Sequence, residues 1–162
     1  MNARVAVLAL VVAALATPSL AQSPPRSFKG QWHLDPTHSY AQPGPVPTDL
    51  ILTITTDDGH VFDEQETWTG PDGKVRNAIL HALVDGKFYP TIGLSEDLKV
   101  AITRWAPGST RAEMAGADVH GVQMCDLSSD ANTITFETFL TNSQQKNGLA
   151  RSVYRRVHSP TP

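Results

Sequence analysis

The stretch DLILTITTDDGHVFDEQETWTGPDGKVRNAILHALVDG, residues 49–86, decides the fold. From Asp49 to Thr56 the chain alternates, with Leu50, Leu52 and Ile54 on one face and Ile51, Thr53 and Thr55 on the other. A period of two is the strand period. Asp57-Asp58-Gly59 follows, and Asp-Gly favours a hairpin turn because both residues tolerate positive φ. His60 to Thr69 reads as the next strand, its even face carrying Phe62, Glu64, Glu66 and Trp68. Gly70-Pro71-Asp72-Gly73 is a second turn. Lys74 to Leu83 is a third strand, with Val75, Asn77, Ile79, His81 and Leu83 opposite Arg76, Ala78, Leu80 and Ala82. Asp85-Gly86 turns the chain again. Acidic-glycine turns between β-type runs predict an antiparallel meander.

The same habit extends both ways. Gly30 to Leu34 begins the strands upstream. Tyr40 to Thr48 carries Pro43, Pro45 and Pro47, which remove amide donors and favour extended backbone, so it reads as a wrapping connection rather than an inner strand. Downstream, runs at Leu98–Trp105, Thr110–Ala115, Val119–Ser128, Thr133–Leu140 and Leu149–Val157 are separated by polar turns. Helical spacing is not sustained outside the N-terminal leader. About nine short strands predict an all-β fold, an antiparallel meander barrel of about 8–10 strands, with a β-sandwich as the alternative.

The 162 residues divide accordingly. Residues 1–21 read as a signal peptide: Arg4 is the positive start, Val5 to Ala16 are apolar, Pro18 breaks the helix, and Ser19-Leu20-Ala21 ends on small residues. The apolar run is 12 residues long, against the about 20 that span a bilayer. Residues 22–29 read as a flexible mature N-terminus, 30–157 as one β-barrel domain and 158–162 as a flexible tail. The expected location is therefore the periplasm, or the extracellular space, with no integral membrane segment in the mature chain.

The sequence is 40% hydrophobic and 18% charged, too apolar for a disordered chain. Its formal net charge is −3, one more negative without Arg4, and it holds no basic block. That composition argues against a nucleic-acid partner. Cys125 is the single cysteine, so the core must supply the stability without an internal disulfide. Its apolar run reads Cys125 as a small buried hydrophobe.

Some residues then carry a resemblance. Gly30-Gln31-Trp32 on the first strand resembles the Gly-x-Trp opening of lipocalin-type barrels, and Arg155 or Arg156 on the last strand resembles the base those barrels stack on that Trp. Arginine over an indole face gains cation–π energy, which suits a contact between first and last strands. An ordered set is similar to small exported bacterial lipocalin-like proteins of unassigned activity. It comprises Pro43-Gly44-Pro45 with Pro47, Asp72-Gly73-Lys74, Asp85-Gly86-Lys87-Phe88-Tyr89-Pro90, and Val153-Tyr154-Arg155-Arg156. The resemblance spans roughly residues 30–157. It implies a barrel closed by Trp32 with Arg155 or Arg156, and a cavity for a hydrophobic ligand.

Candidate sites follow from residue chemistry. Trp68, Phe62, Trp105 and Phe136 are the candidate ligand-binding residues, as aromatics that line a barrel cavity, against the default in which they simply fill a small barrel. Six histidines raise a metal site, but His33 and His38 are split by Pro36, and His60, His81 and His120 are scattered. That spacing fits no zinc template, so no metal and no cofactor are expected. Asp63-Glu64-Gln65-Glu66 is expected as a solvated acidic face. The Gly-x-Ser-x-Gly elbow, P-loop and dinucleotide fingerprints are absent from the sequence, and no catalytic residue is assigned. The expected function is therefore non-enzymatic: a monomeric exported barrel binding a small apolar or amphipathic ligand. The alternative is an interaction module of the cell envelope with a filled barrel.

Overall fold

The computed structural model describes residues 26–70 and 72–158. The expected leader at 1–21, residues 22–25 and the tail beyond His158 lie outside the described residues. The described chain forms eleven strands: β1 Gly30–Leu34, β2 Tyr40–Gln42, β3 Ile51–Asp57, β4 Val61–Thr69, β5 Val75–Leu83, β6 Phe88–Ile92, β7 Lys99–Ala106, β8 Ser109–Ala115, β9 Val119–Leu127, β10 Thr133–Asn142 and β11 Asn147–Arg156. Each strand from β3 to β11 pairs antiparallel with the next, and β1 pairs with both β3 and β11. Ten strands thus close an antiparallel, lipocalin-like barrel.

The three meander turns fall where the Asp-Gly chemistry placed them. Gly59, Gly73 and Gly86 all take positive φ, at 91°, 73° and 75°. Asp58 stabilises the first turn by accepting the His60 and Val61 amides at 2.8 Å each. Two strands exceed the sequence expectation. β2 is a three-residue edge piece inside the proline-rich connection, paired with Leu149–Arg151 of β11. β6 contains Pro90 and pairs with β5 only at Ile79↔Ile92 and Leu80↔Thr91. A proline that cannot donate suits a short, sparsely bonded strand.

The core is the inward face of the alternation. Phe28, Trp32, Leu34, Leu52, Ile54, Phe62, Leu80, Ala82, Val100, Ile102, Cys125, Leu127, Ile134, Phe136 and Tyr154 form one buried cluster. Each fully buried aliphatic side chain contributes roughly 1.5–3 kcal/mol. β5 shows the pattern most plainly: Ala78, Leu80 and Ala82 are buried while Asn77, Ile79, His81 and Leu83 are exposed.

Closure occurs at Trp32. It lies opposite Arg156 in the β1–β11 ladder, with the Arg156 Cζ 4.0 Å from the ring centroid. Arg156 also donates to the carbonyls of Ala131 at 2.7 Å and Lys29 at 2.8 Å. Arg155 is on the opposite face, where it donates to Asp35 and Thr133. Of the two arginines, Arg156 is therefore the stacking one, and Arg155 is an exposed surface residue.

Residues 26–29 also depart from expectation. Rather than a flexible lead-in, they cross one end of the barrel. Phe28 is fully buried and its carbonyl accepts the Trp32 indole at 2.9 Å. The anchor is Asp57, whose side chain has no exposed surface. Its carboxylate accepts the Phe28 amide at 2.7 Å and the Ser27 hydroxyl at 3.0 Å, and it pairs with Arg104. Asp57 reaches the interior because β3 slips register between Ile54 and Thr56. An extra residue switches the side-chain phase, so an odd-numbered residue joins the face of Leu52 and Ile54. The residue read as a turn aspartate is thus a buried strand-end anchor.

Candidate functional site

Further inside the barrel, facing side chains leave a cavity of about 160 Å³. Its walls are mostly apolar: Phe62, Leu80, Leu98, Val100, Ile102 and Phe136 contribute most of them. The polar lining comes from Glu64, Glu66, Thr91, Thr110 and Gln123, with the Cys125 thiol beside them. Ile79 and Leu94 also border the space, yet are 42% and 46% exposed. The cavity therefore reaches solvent at the β5–β6 side, where the ladder is shortest. Gly93 lets the chain turn tightly there: its φ is 83°, and a Cβ would sit 1.9 Å from the Asn77 carbonyl oxygen.

The acidic stretch of β4 divides by parity. Asp63 and Gln65 face outward, Asp63 pairing with His81 across the β4–β5 ladder. Glu64 and Glu66 face inward with Phe62 and line the cavity. This corrects the solvated-face expectation for those two. The physical reason is the strand period itself, which places residues 62, 64 and 66 on one side whatever their polarity. Both are half-buried.

Burial sets the chemistry of this pair. Loss of hydration pushes the Glu64 carboxyl up to about 8, and the neighbouring Glu66 charge adds to the rise. Burial also raises Glu66, opposed by the Tyr154 hydroxyl, which lies 3.5 Å from its Oε1 at the long limit of a hydrogen bond. The Tyr154 phenol and the Cys125 thiol are both driven well above their usual ranges, first by burial and then by these carboxylates. Glu64 has no hydrogen-bonding partner among the described residues. Tyr154 is itself held edge-on against Phe136, with ring centroids 5.4 Å apart.

The four expected ligand residues separate two and two. Phe62 and Phe136 line the cavity. Trp68 sits at the far end of β4, in a surface groove with Pro45, Val46 and Pro47 of the wrapping segment. Trp105 is 63% exposed, at the β7 register slip between Arg104 and Ala106. Its odd number puts it with exposed Thr103 rather than with Val100 and Ile102, so parity already excluded it from the interior. Glu64, Glu66, Thr110 and Gln123 are the site residues that residue-type reasoning missed, and parity was the signal for the two glutamates.

The histidines do not join this site. His33, His38, His60, His81 and His120 are exposed. His38 pairs with Asp35 at 2.8 Å and His81 with Asp63. Among the described residues, no group of three or more His, Cys, Asp or Glu side chains could hold a metal ion. No described helix is long and apolar enough to cross a membrane.

The fold is shared with solved β-barrels. The chain superposes on a redesigned β-barrel with a TM-score of 0.52 and 11% identity, covering 81% of this chain and 92% of that one. It superposes on the zebrafish ileal bile acid-binding protein, solved with cholic acid, with a TM-score of 0.50 and 14% identity, covering 80% and 98%. No family model matches the chain, and no curated protein does.

Proposed function

We propose that this protein is an exported binding barrel that takes a compact apolar or amphipathic molecule into its interior, in the periplasm or outside the cell. The observation that carries the reading is the cavity of about 160 Å³ inside a closed barrel, mostly apolar with a few polar side chains among its lining. Ligand sites commonly combine apolar walls with a few converging polar groups. The volume suits a molecule of about the size of a substituted benzene, since an engineered apolar cavity of about 150 Å³ in another protein holds benzene. Binding would gain about 25 cal/mol for each Å² of apolar surface removed from water, before ordering costs. The reading involves no covalent step. Export rests on the leader pattern at residues 1–21. The superposition on a bile acid-binding barrel supports the use of such an interior for small molecules.

Native mass spectrometry and calorimetry against compact aromatic compounds test this reading, with Ala78→Leu as the control. Ala78 is buried and lines the cavity, so the larger side chain fills it. Binding by the wild type and its loss in the variant are expected. Equal behaviour of both proteins contradicts an interior site.

One observation favours the second reading, an interaction module. Val75, Ile79, Leu83, Phe88, Ile92 and Leu94 are exposed on β5, β6 and the following turn. Exposed apolar residues gathered on two neighbouring strands suit a protein partner. Sedimentation of the wild type against Ile79→Lys tests it: association lost in the variant supports an outer interface.

A further inference from the structure

The cavity pairs two carboxyl groups with no basic side chain. None of its lining residues is Lys, Arg or His. Arg104, a half-buried cation at the barrel end, is already committed to Asp57. Gln123 faces the same space and donates one amide hydrogen to Thr138 at 3.1 Å, leaving its carbonyl oxygen as an acceptor. Glu64 is half-buried on the cavity wall and makes no hydrogen bond among the described residues. A buried acceptor without a donor is costly, and an isolated buried charge more so. A ligand that brings its own hydrogen-bond donors and a positive charge relieves both.

Resting on the interior-binding reading above, we propose that the cavity selects a compact organic amine, with its ammonium at Glu64, Glu66 and the Gln123 carbonyl and its apolar body against Phe62 and Phe136. Charge-assisted hydrogen bonds are about twice as strong as neutral ones. An anionic ligand would meet two carboxyl groups and no counter-charge. A neutral ligand without a donor would leave Glu64 unmet, and a neutral donor would bring a hydrogen bond but no charge.

The proposal carries a proton balance. A protonated carboxyl in the free protein gives up one proton when the ammonium arrives, so complex formation releases a proton and tightens as pH rises. The groups facing the pair are few. β3 offers Leu52 and Ile54, β5 and β7 offer Ala78, Leu80, Val100 and Ile102, β8 offers Thr110, β9 offers Gln123 and Cys125, and β11 offers Tyr154. Burial holds that thiol and that phenol protonated through neutral pH. The carboxyl pair is thus the source of the proton.

Benzylamine, benzyl alcohol and benzoate share one ring and differ in the group on it, so they serve as probes. Calorimetry on the full chain is expected to rank benzylamine at least about tenfold tighter than benzyl alcohol, with benzoate weakest. Benzylamine affinity is expected to rise between pH 6 and 8, by up to about tenfold per unit. Glu64→Gln keeps the shape and is expected to remove about tenfold or more from benzylamine binding, with benzyl alcohol little changed. The pH dependence of the wild type needs no variant, so it stands even if that variant misfolds. Benzyl alcohol or benzoate binding as tightly as the amine overturns the amine inference and leaves the interior-binding reading intact. Failure of all three probes and of xenon to enter overturns the interior-binding reading itself.

Discussion

Asp57 and Glu64 are both carboxylates buried in the same barrel, and their surroundings are opposite. Asp57 has an arginine, a hydroxyl and a backbone amide on it. Glu64 has an apolar cavity and a second glutamate. The Asp57 end is knotted by Phe28, Trp32 and Arg156, with long-range contacts from Asp57 to Phe28 and from Arg156 to Trp32. The Glu64 region leaves space, and Glu64 itself makes no hydrogen bond among the described residues. A fully bonded buried charge holds a structure together, whereas an unbonded one detracts from stability unless something arrives to meet it.

The largest expected effect breaks the bonded side of this contrast. Asp57→Ala leaves Arg104 without its partner and the Phe28 amide without an acceptor. Losing one member of a buried pair typically costs about 3–5 kcal/mol, and urea denaturation should show a loss in that range.

Next comes the pH dependence of the unbonded side. The unfolded chain releases the Glu64 proton near 4.5, while the folded barrel holds it to about 8. Between those values the folded state binds more protons, so stability should fall as pH rises across that window and level off above it. Shifts of this size correspond to on the order of a few kcal/mol. Glu64→Gln should therefore stabilise the protein at pH 8, have little effect at pH 4, and flatten the curve between them. Urea midpoints measured across pH check it.

Arg156→Met should cost less, about 1–2 kcal/mol, because it removes the stacking on Trp32 and two hydrogen bonds to carbonyls but leaves an apolar stem to cover the ring. Trp105→Ala is expected to be the smallest, within about 0.5 kcal/mol, since an exposed side chain at a register slip buries little. A large loss at Trp105 would break the division between inside and outside on β7.

Much of this was legible in the residues. The strand alternation and the Asp-Gly turns placed the meander from β3 to β5, and Gly30-x-Trp32 marked the closing strand. Parity alone also contained the inward course of Glu64 and Glu66 and the outward course of Trp105. At both places residue type misleads where position does not: it sends the acids to solvent and the tryptophan to the interior. Asp57 was different. Its burial depends on an extra residue in β3, and a bulge shifts the side-chain phase without any local composition to announce it. β6 was hidden because Phe88-Tyr89-Pro90-Thr91-Ile92 has a proline at its centre and few ladder partners. The cavity depends on how ten strands close around one another, which no single strand encodes.

The most direct test of the account is a ¹³C NMR pH titration of the glutamate side chains, with and without benzylamine. Glu64 is expected to titrate near 8 in the free protein, far above the ordinary 4.5, and to shift downward when the amine binds. Titration of both Glu64 and Glu66 near 4.5, unmoved by the amine, would mean that the pair is solvated and would contradict the account.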